Sequence, residues 1–213
     1  GKRCSMSELV IYMFDIFGTV VFAVTGALCG VRYKLDLLGV IVFACTVGVG
    51  GGMLRDVLIG AVPVAALTNE TYLIACIGAG LLVFFVARWL SNLRQLIAFC
   101  DAIGLGVFTA IGAAKGCAYE LHPIGVVLSG VLTAVGGGMI RDIMARSVPV
   151  VLTSDFYATA ALLGGIVYYA LDGFSRLPQF VIFMIVFAFV TGVRLAAMHF
   201  KLRLPVASSQ EDE

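Results

Sequence analysis

Gly50-Gly51-Gly52-Met53-Leu54-Arg55-Asp56 and Gly136-Gly137-Gly138-Met139-Ile140-Arg141-Asp142 are one heptapeptide written twice, 86 residues apart, with a single Leu-to-Ile exchange. The same offset aligns 15–64 with 101–150 without a gap, and 21 of the 50 positions are identical. Among the matched pairs are Asp15 with Asp101, Gly18 with Gly104, Gly26 with Gly112, Gly30 with Gly116, Tyr33 with Tyr119, Gly39 with Gly125 and Pro63 with Pro149. Self-similarity of this length means two copies of one structural unit.

The repeat lies in an unusually apolar chain. Of 213 residues 61% are hydrophobic, mean hydropathy is +1.07, and only 14 basic and 13 acidic residues interrupt the apolar runs. That is more apolar side chain than a soluble core of this size buries. The runs cover about 9–30, 39–60, 72–90, 96–116, 124–144, 156–171 and 180–200. Most are near the roughly 20 residues that carry a helix across a hydrocarbon core of about 30 Å. Barrel strands alternate apolar with polar residues over about 10 positions, whereas these runs are apolar throughout. The expected fold class is therefore an all-α membrane protein of seven transmembrane helices, a single transmembrane domain over 6–203.

Each copy holds three runs: repeat one about 9–90 and repeat two about 96–171. An odd number of crossings makes the second copy enter from the opposite face, so the two are expected to be inverted three-helix repeats. The extra helix, about 178–200, has no counterpart. Residues 1–5 read as a remnant preceding a natural start at Met6, and 204–213 as a polar tail. Basic residues favour the cytoplasmic ends of spans. Arg32, Lys34, Arg88, Arg94, Arg146, Arg194, Lys201 and Arg203 fall on one side, against Lys115 and Arg176 on the other. The N-terminus is expected outside and the C-terminus in the cytoplasm.

Several functions are excluded by what is missing. The six cysteines form no CxxC and have no metal-ligand spacing with the two histidines, so they read as small apolar fillers. No cofactor is expected. A net charge of +1 without a basic stripe gives no nucleic-acid surface. Gly48-Val49-Gly50 begins a dinucleotide fingerprint but sits in an apolar run and lacks its third glycine, and no GxxxxGK[ST], HExxH or GxSxG occurs. An enzyme is not expected.

Polar chemistry concentrates around the heptapeptides. Three consecutive glycines cost a helix about 1 kcal/mol each relative to alanine. Gly26/Gly30 and Gly112/Gly116 read as close-packing pairs. Gly50, Gly51 and Gly52, like Gly136, Gly137 and Gly138, exceed one contact face, so a helix break that frees backbone groups toward a watery path is expected there. Arg55, Asp56, Arg141 and Asp142 follow directly, and a charge at mid-span costs about 2.5–3.5 kcal/mol on insertion scales. Adjacent helical residues point about 100° apart, so Asp15 and Asp101 are the expected partners of the arginines. Two uses stay open: ion pairs locking the copies together, or carboxylates and carbonyls lining an aqueous path whose field the arginines set. Lys115, opposite Cys29 in the alignment, makes the repeat electrostatically unequal. Ser129, Thr133 and Thr46 are candidate hydroxyl ligands, although such groups commonly bond back to their own helix.

The doubled GGGMxRD element, the aspartate early in the first and fourth spans, and the three-plus-three-plus-one order resemble the prokaryotic branch of the trimeric intracellular cation channel (TRIC) family, over nearly all of 6–203. The resemblance implies a homotrimer in a prokaryotic plasma membrane. Each protomer would have its own pore, kinked at the glycine motifs of spans two and five and passing K⁺ and Na⁺. Related bacterial sequences carry a glycine-transporter label, which keeps a secondary carrier of a small zwitterion as the alternative. Animal members have a lysine motif in the second-span pore region, where this chain has Arg55.

Overall fold

The computed structural model of the chain describes residues 4–153, 156–175 and 177–200, which leaves part of the expected leader and all of the polar tail outside the described residues. The first copy of the repeat gives α1 (Cys4–Arg32), α2 (Leu37–Leu58), a one-turn α3 (Ala65–Thr68) and α4 (Thr71–Val86), closed by a 3-10 turn, Ala87–Trp89. The second gives the same order: α5 (Leu93–Ala118), α6 (Pro123–Met144), a one-turn α7 (Val150–Thr153) and α8 (Ala158–Phe174). Last comes α9 (Gln179–Phe200), packed on α5 and α8.

The described residues are helical or in turns and loops, as the apolar runs require. Five helical stretches are long and apolar enough to cross a membrane: Ile11–Arg32, Leu37–Leu58, Leu93–Ala118, Pro123–Met144 and Gln179–Phe200. The third and sixth apolar runs form shorter helices, α4 of 16 and α8 of 17 residues. Large apolar side chains such as Leu38, Ile74, Leu82, Phe85 and Ile124 face outward, a surface that lipid solvates and water does not.

Helix ends are set locally, at equivalent places in both copies. Lys34 and Glu120, 86 apart, take the left-handed conformation after α1 and α5 with φ of 56° and 53°. The following amides, of Leu35 and Leu121, then reach back to the carbonyls of Gly30 and Gly116 at 3.0 and 3.1 Å, satisfying acceptors that a helix end leaves open. After α2 and α6 the left-handed position falls on Gly60 and Arg146. At the starts, Asp36 accepts the Gly39 amide at 2.7 Å to cap α2, while α6 opens on Pro123, whose missing N–H is no loss in a first turn.

The two helices that begin each copy pack more extensively on each other than on any other neighbour. Gly26 and Gly112 make this possible: a Cβ on Gly112 would lie 2.5 Å from the Ser129 carbonyl, and one on Gly26 would strike the equivalent Phe43 carbonyl. Between copies the contacts are reciprocal. Phe22 and its equivalent Phe108 stack at 5.2 Å, Phe108 covers Gly18, and Phe22 covers Gly104. Each copy thus meets the other through the same residues, as in a self-complementary interface.

Candidate functional site

Both glycine triplets lie within uninterrupted α-helix, so the expected break is corrected: α2 runs unbroken from Leu37 to Leu58 and α6 from Pro123 to Met144. The glycines serve a crossing instead. A Cβ on Gly51 would run into the Thr133 carbonyl, and one on Gly137 would lie 2.6 Å from the carbonyl of Val47, the residue equivalent to Thr133. Around this contact, a Cβ on Gly50 would meet Ile140 Cδ1 at 2.6 Å and one on Gly136 the Cα of Gly51 at 3.0 Å. Two helices approach so closely only where side chains are absent. The third glycines differ: a Cβ on Gly52 would make only an ordinary contact with Arg55 Nη2 at 3.8 Å, while one on Gly138 would meet the Tyr157 hydroxyl at 2.9 Å and Asp101 Oδ1 at 3.5 Å.

The arginines after the triplets are almost fully buried, as are Asp15, Asp56, Asp101 and Asp142. Arg141 meets the expected Asp101, Nη1 to Oδ1 at 2.6 Å. Its Nε also binds its own neighbour, Asp142 Oδ1, at 2.9 Å. Arg55 departs from expectation. Its described ion pair is with Asp56, Nε to Oδ1 at 2.9 Å, whereas Asp15 accepts a hydrogen bond from Tyr72 at 2.8 Å. Successive positions are rotated about the helix axis, but an arginine long enough to fold back closes the gap in both copies.

The second oxygen of each neighbouring aspartate explains why Arg-Asp recurs as a unit with a proline beyond it. Asp56 Oδ2 accepts the Ala65 amide at 3.1 Å, and Asp142 Oδ2 accepts the Val150 amide at 2.8 Å. Each aspartate therefore ties the end of a long helix to the first turn of the short one that begins just beyond the shared proline. Two orphan amides at helix starts are thereby satisfied.

Lys115 reaches across from α5 and donates from Nζ to Asp56 Oδ1 at 2.7 Å. The hydroxyls are engaged as donors: Thr133 to the Ser129 carbonyl at 2.5 Å, Thr46 to Val42 at 2.7 Å, and Ser129 across to the Gly112 carbonyl of α5 at 2.7 Å. Thr46 and Thr133 bond back along their own helices; Ser129 holds two helices together.

The two ends of the crossing have unequal space. On the Arg141 side a cavity of about 660 Å³ opens, lined by Cys29, Arg32, Arg94, Asp101, Arg141, Asp142 and Arg194 among others. On the Arg55 side lies a cavity of about 10 Å³ beside Asp15, Thr19, Arg55, Asp56 and Tyr72, the size of one water. Three contributors were missed from sequence. Tyr72 and Tyr157 open the third helix of each copy and face Asp15 and Asp101, but they are 85 residues apart, so an ungapped alignment at 86 separates them. Arg194 of α9 lies 4.9 Å over the Tyr157 ring, a cation–π contact.

The comparisons agree with this geometry. A family model described as glycine transporter matches residues 12–88 and again 98–173, the two copies in turn. A membrane protein of Vibrio cholerae, named UPF0126 membrane protein, is 38% identical over 209 residues, covering 95% of this chain and 87% of its own. The inner membrane protein YadS of Escherichia coli K12 is 35% identical over 205 residues, covering 96% and 99%. Among solved structures, the TRIC trimeric intracellular cation channel orthologue of Rhodobacter sphaeroides superposes with a TM-score of 0.87 at 34% identity, covering 91% of this chain and 99% of its own. A trimeric intracellular cation channel of C. elegans with bound Ca²⁺ shares the fold at a TM-score of 0.60 and 15% identity. The chain belongs to the prokaryotic TRIC family, the bacterial membrane proteins that also carry the glycine-transporter description.

Proposed function

We propose that this chain is a monovalent-cation channel, passing K⁺ and Na⁺ through a path within each protomer of a homotrimer. The observation that carries the reading is the doubled set of buried carboxylates, Asp101 and Asp142 at one end of the glycine crossing and Asp15 and Asp56 at the other. Cations need fixed negative groups to replace hydration, and buried arginines hold those groups in place while setting the field. In this reading the close backbone contact between α2 and α6 is what occludes the path. The similar solved structures of TRIC cation channels support the same reading.

In this reading all seven apolar helices cross the membrane, α4 and α8 as short spans. The two copies are inverted, which the reciprocal contacts of Phe22 with Phe108 and of Val47 with Thr133 support. Inverted repeats meeting at mid-depth are an architecture of membrane transport. The chain would sit in a prokaryotic inner membrane, N-terminus outside and C-terminus in the cytoplasm.

A carrier of a small zwitterion such as glycine is the second reading. It is favoured by the mixed charge of the large cavity, where Arg32 and Arg94 could hold a carboxylate and Asp142 an ammonium, and by the family description. Reconstitution into planar bilayers separates the two. Discrete current steps in KCl, reversing near the K⁺ equilibrium potential under a gradient, are the expected result. Saturable glycine uptake without steps would overturn the channel.

A further inference from the structure

The second and third long helices cross in the same way in each copy. In the second copy a Cβ on Gly165 would meet the Cα of Val127 at 3.1 Å; in the first, one on Gly80 would meet the Cα of Ile41 at 3.4 Å and the Cβ of Ala44 at 3.1 Å. One turn before Gly80, Cys76 points into α2, its Sγ 2.6 Å from where a Cβ on Gly48 would lie. Ile41, Ala44, Cys45 and Gly48 follow the spacing of one helical face, so Cys45 belongs to the face that α4 covers. The two thiols hydrogen-bond to each other.

Packing does not call for this pair. The offset of 86 sets Cys45 against Val131, and the offset of 85 that relates Tyr72 to Tyr157 sets Cys76 against Ala161. A valine and an alanine thus fill the equivalent crossing. Sulfur replaces both, in one copy only, at two positions whose side chains meet.

The pair is reached from lipid. Cys76 is fully buried and Cys45 half-buried. Val42 and Leu38, three and seven positions before Cys45 on the same stripe of α2, belong to the exposed apolar exterior, so the open side of Cys45 faces acyl chains. Neither cavity counts Cys45 or Cys76 among its walls. An oxidant that meets this pair is therefore one that dissolves in the bilayer.

We propose that Cys45 and Cys76 are a redox couple that an apolar quinone in the membrane oxidises to a disulfide, pinning α2 to α4. Two S–H bonds break and one S–S bond forms; the electron pair and both protons pass to the quinone, whose two carbonyl oxygens become the hydroxyls of a quinol. Because α2 also carries the glycines that cross α6, the bond restrains the element that has to shift for the crossing to part. That consequence for conduction rests on the channel reading; the bond itself does not.

The full-length protein in liposomes is treated with decylubiquinone, denatured, alkylated and digested with trypsin without reductant. Cleavage after Lys34, Arg55 and Arg88 puts the two cysteines on separate peptides, 35–55 and 56–88. The expected product is these two peptides joined, separable by reductant, with an equal amount of quinol formed. Cys45→Val and Cys76→Ala install the residues of the second copy and should each abolish the linkage. Both thiols of the wild type still open to alkylation after quinone overturn the proposal. So does a linkage that survives either substitution, or one that the water-soluble oxidant diamide produces and the quinone does not. In planar bilayers the oxidised wild type should lose K⁺ current that reductant restores, while the protein with both substitutions keeps its current under quinone. Joined peptides with current unchanged overturn the control of conduction and uphold the couple. Joined peptides in a protein that shows no K⁺ steps in either redox state overturn the channel reading instead.

Discussion

Arg55 and Arg141 occupy equivalent positions but hold unequal partners. Arg141 is gripped by two carboxylates, those of Asp101 and Asp142. Among the described residues Arg55 has one, and that one also has Lys115. Removing one member of a buried pair leaves an uncompensated charge, at a cost of about 3–5 kcal/mol. Arg141→Leu strands two carboxylates and should approach that figure; Arg55→Leu leaves Asp56 with a cation still in place and should cost less. Thermal melting in detergent checks the order, and equal losses would contradict it. The Arg141–Asp101 pair was legible in the sequence, because two lone buried charges in neighbouring apolar runs have few alternatives. The Arg55 pairing was not. A strict repeat predicts the same partner in both copies, and nothing in the linear pattern says that Tyr72 engages Asp15 or that Lys115 reaches Asp56.

Helices α2 and α6 show how far propensity alone carries an argument about an element. Three glycines in a row weaken a helix, and because they exceed one contact face the sequence favoured a break over the close crossing that in fact accounts for that cost. Only the neighbouring helix decides, and it lies 86 residues away. The decision can be tested within one triplet. A Cβ on Gly51 has no room against the Thr133 carbonyl, a backbone atom that cannot rotate away, whereas one on Gly52 meets only Arg55 Nη2 at 3.8 Å. Gly51→Ala should therefore destabilise by about 1–3 kcal/mol through overpacking. Gly52→Ala should be neutral or stabilise by up to about 1 kcal/mol through helix propensity. A melt in which both variants shift alike would mean that the crossing is looser than these contacts. Gly51→Leu, which under a helix break would have closed a space while leaving the fold intact, should instead prevent the copies from docking.

At the scale of the whole molecule, the repeat, the helical class and the apolar exterior were readable in advance, since each follows from periodicity and composition. The unmatched last helix and the unequal Lys115 were readable too, but not the structural consequence of that departure from symmetry. It comes from α9, which covers α5 and α8 without a counterpart on the first copy and brings Arg194 over Tyr157 beside the large cavity. That cavity gathers Arg32, Arg94 and Arg194 from the end of α1, the start of α5 and the C-terminal half of α9. Lys34 and Arg146 lie in turns at the same end. Lys115 stands at the other, beside Asp56. Basic residues near span ends are retained in the cytoplasm, so the wide mouth should face inward and the Lys115 end outward. Single cysteines at Arg94 and at Glu120, both exposed, in a background stripped of native cysteines, report this directly. An impermeant thiol reagent applied to intact cells should label position 120 and spare position 94, and inverted membrane vesicles should give the reverse. Labelling of both positions from one face would show that α5 does not cross the membrane. Labelling with the sides exchanged would turn the molecule over, placing the wide mouth outside and the Lys115 contact on the cytoplasmic face.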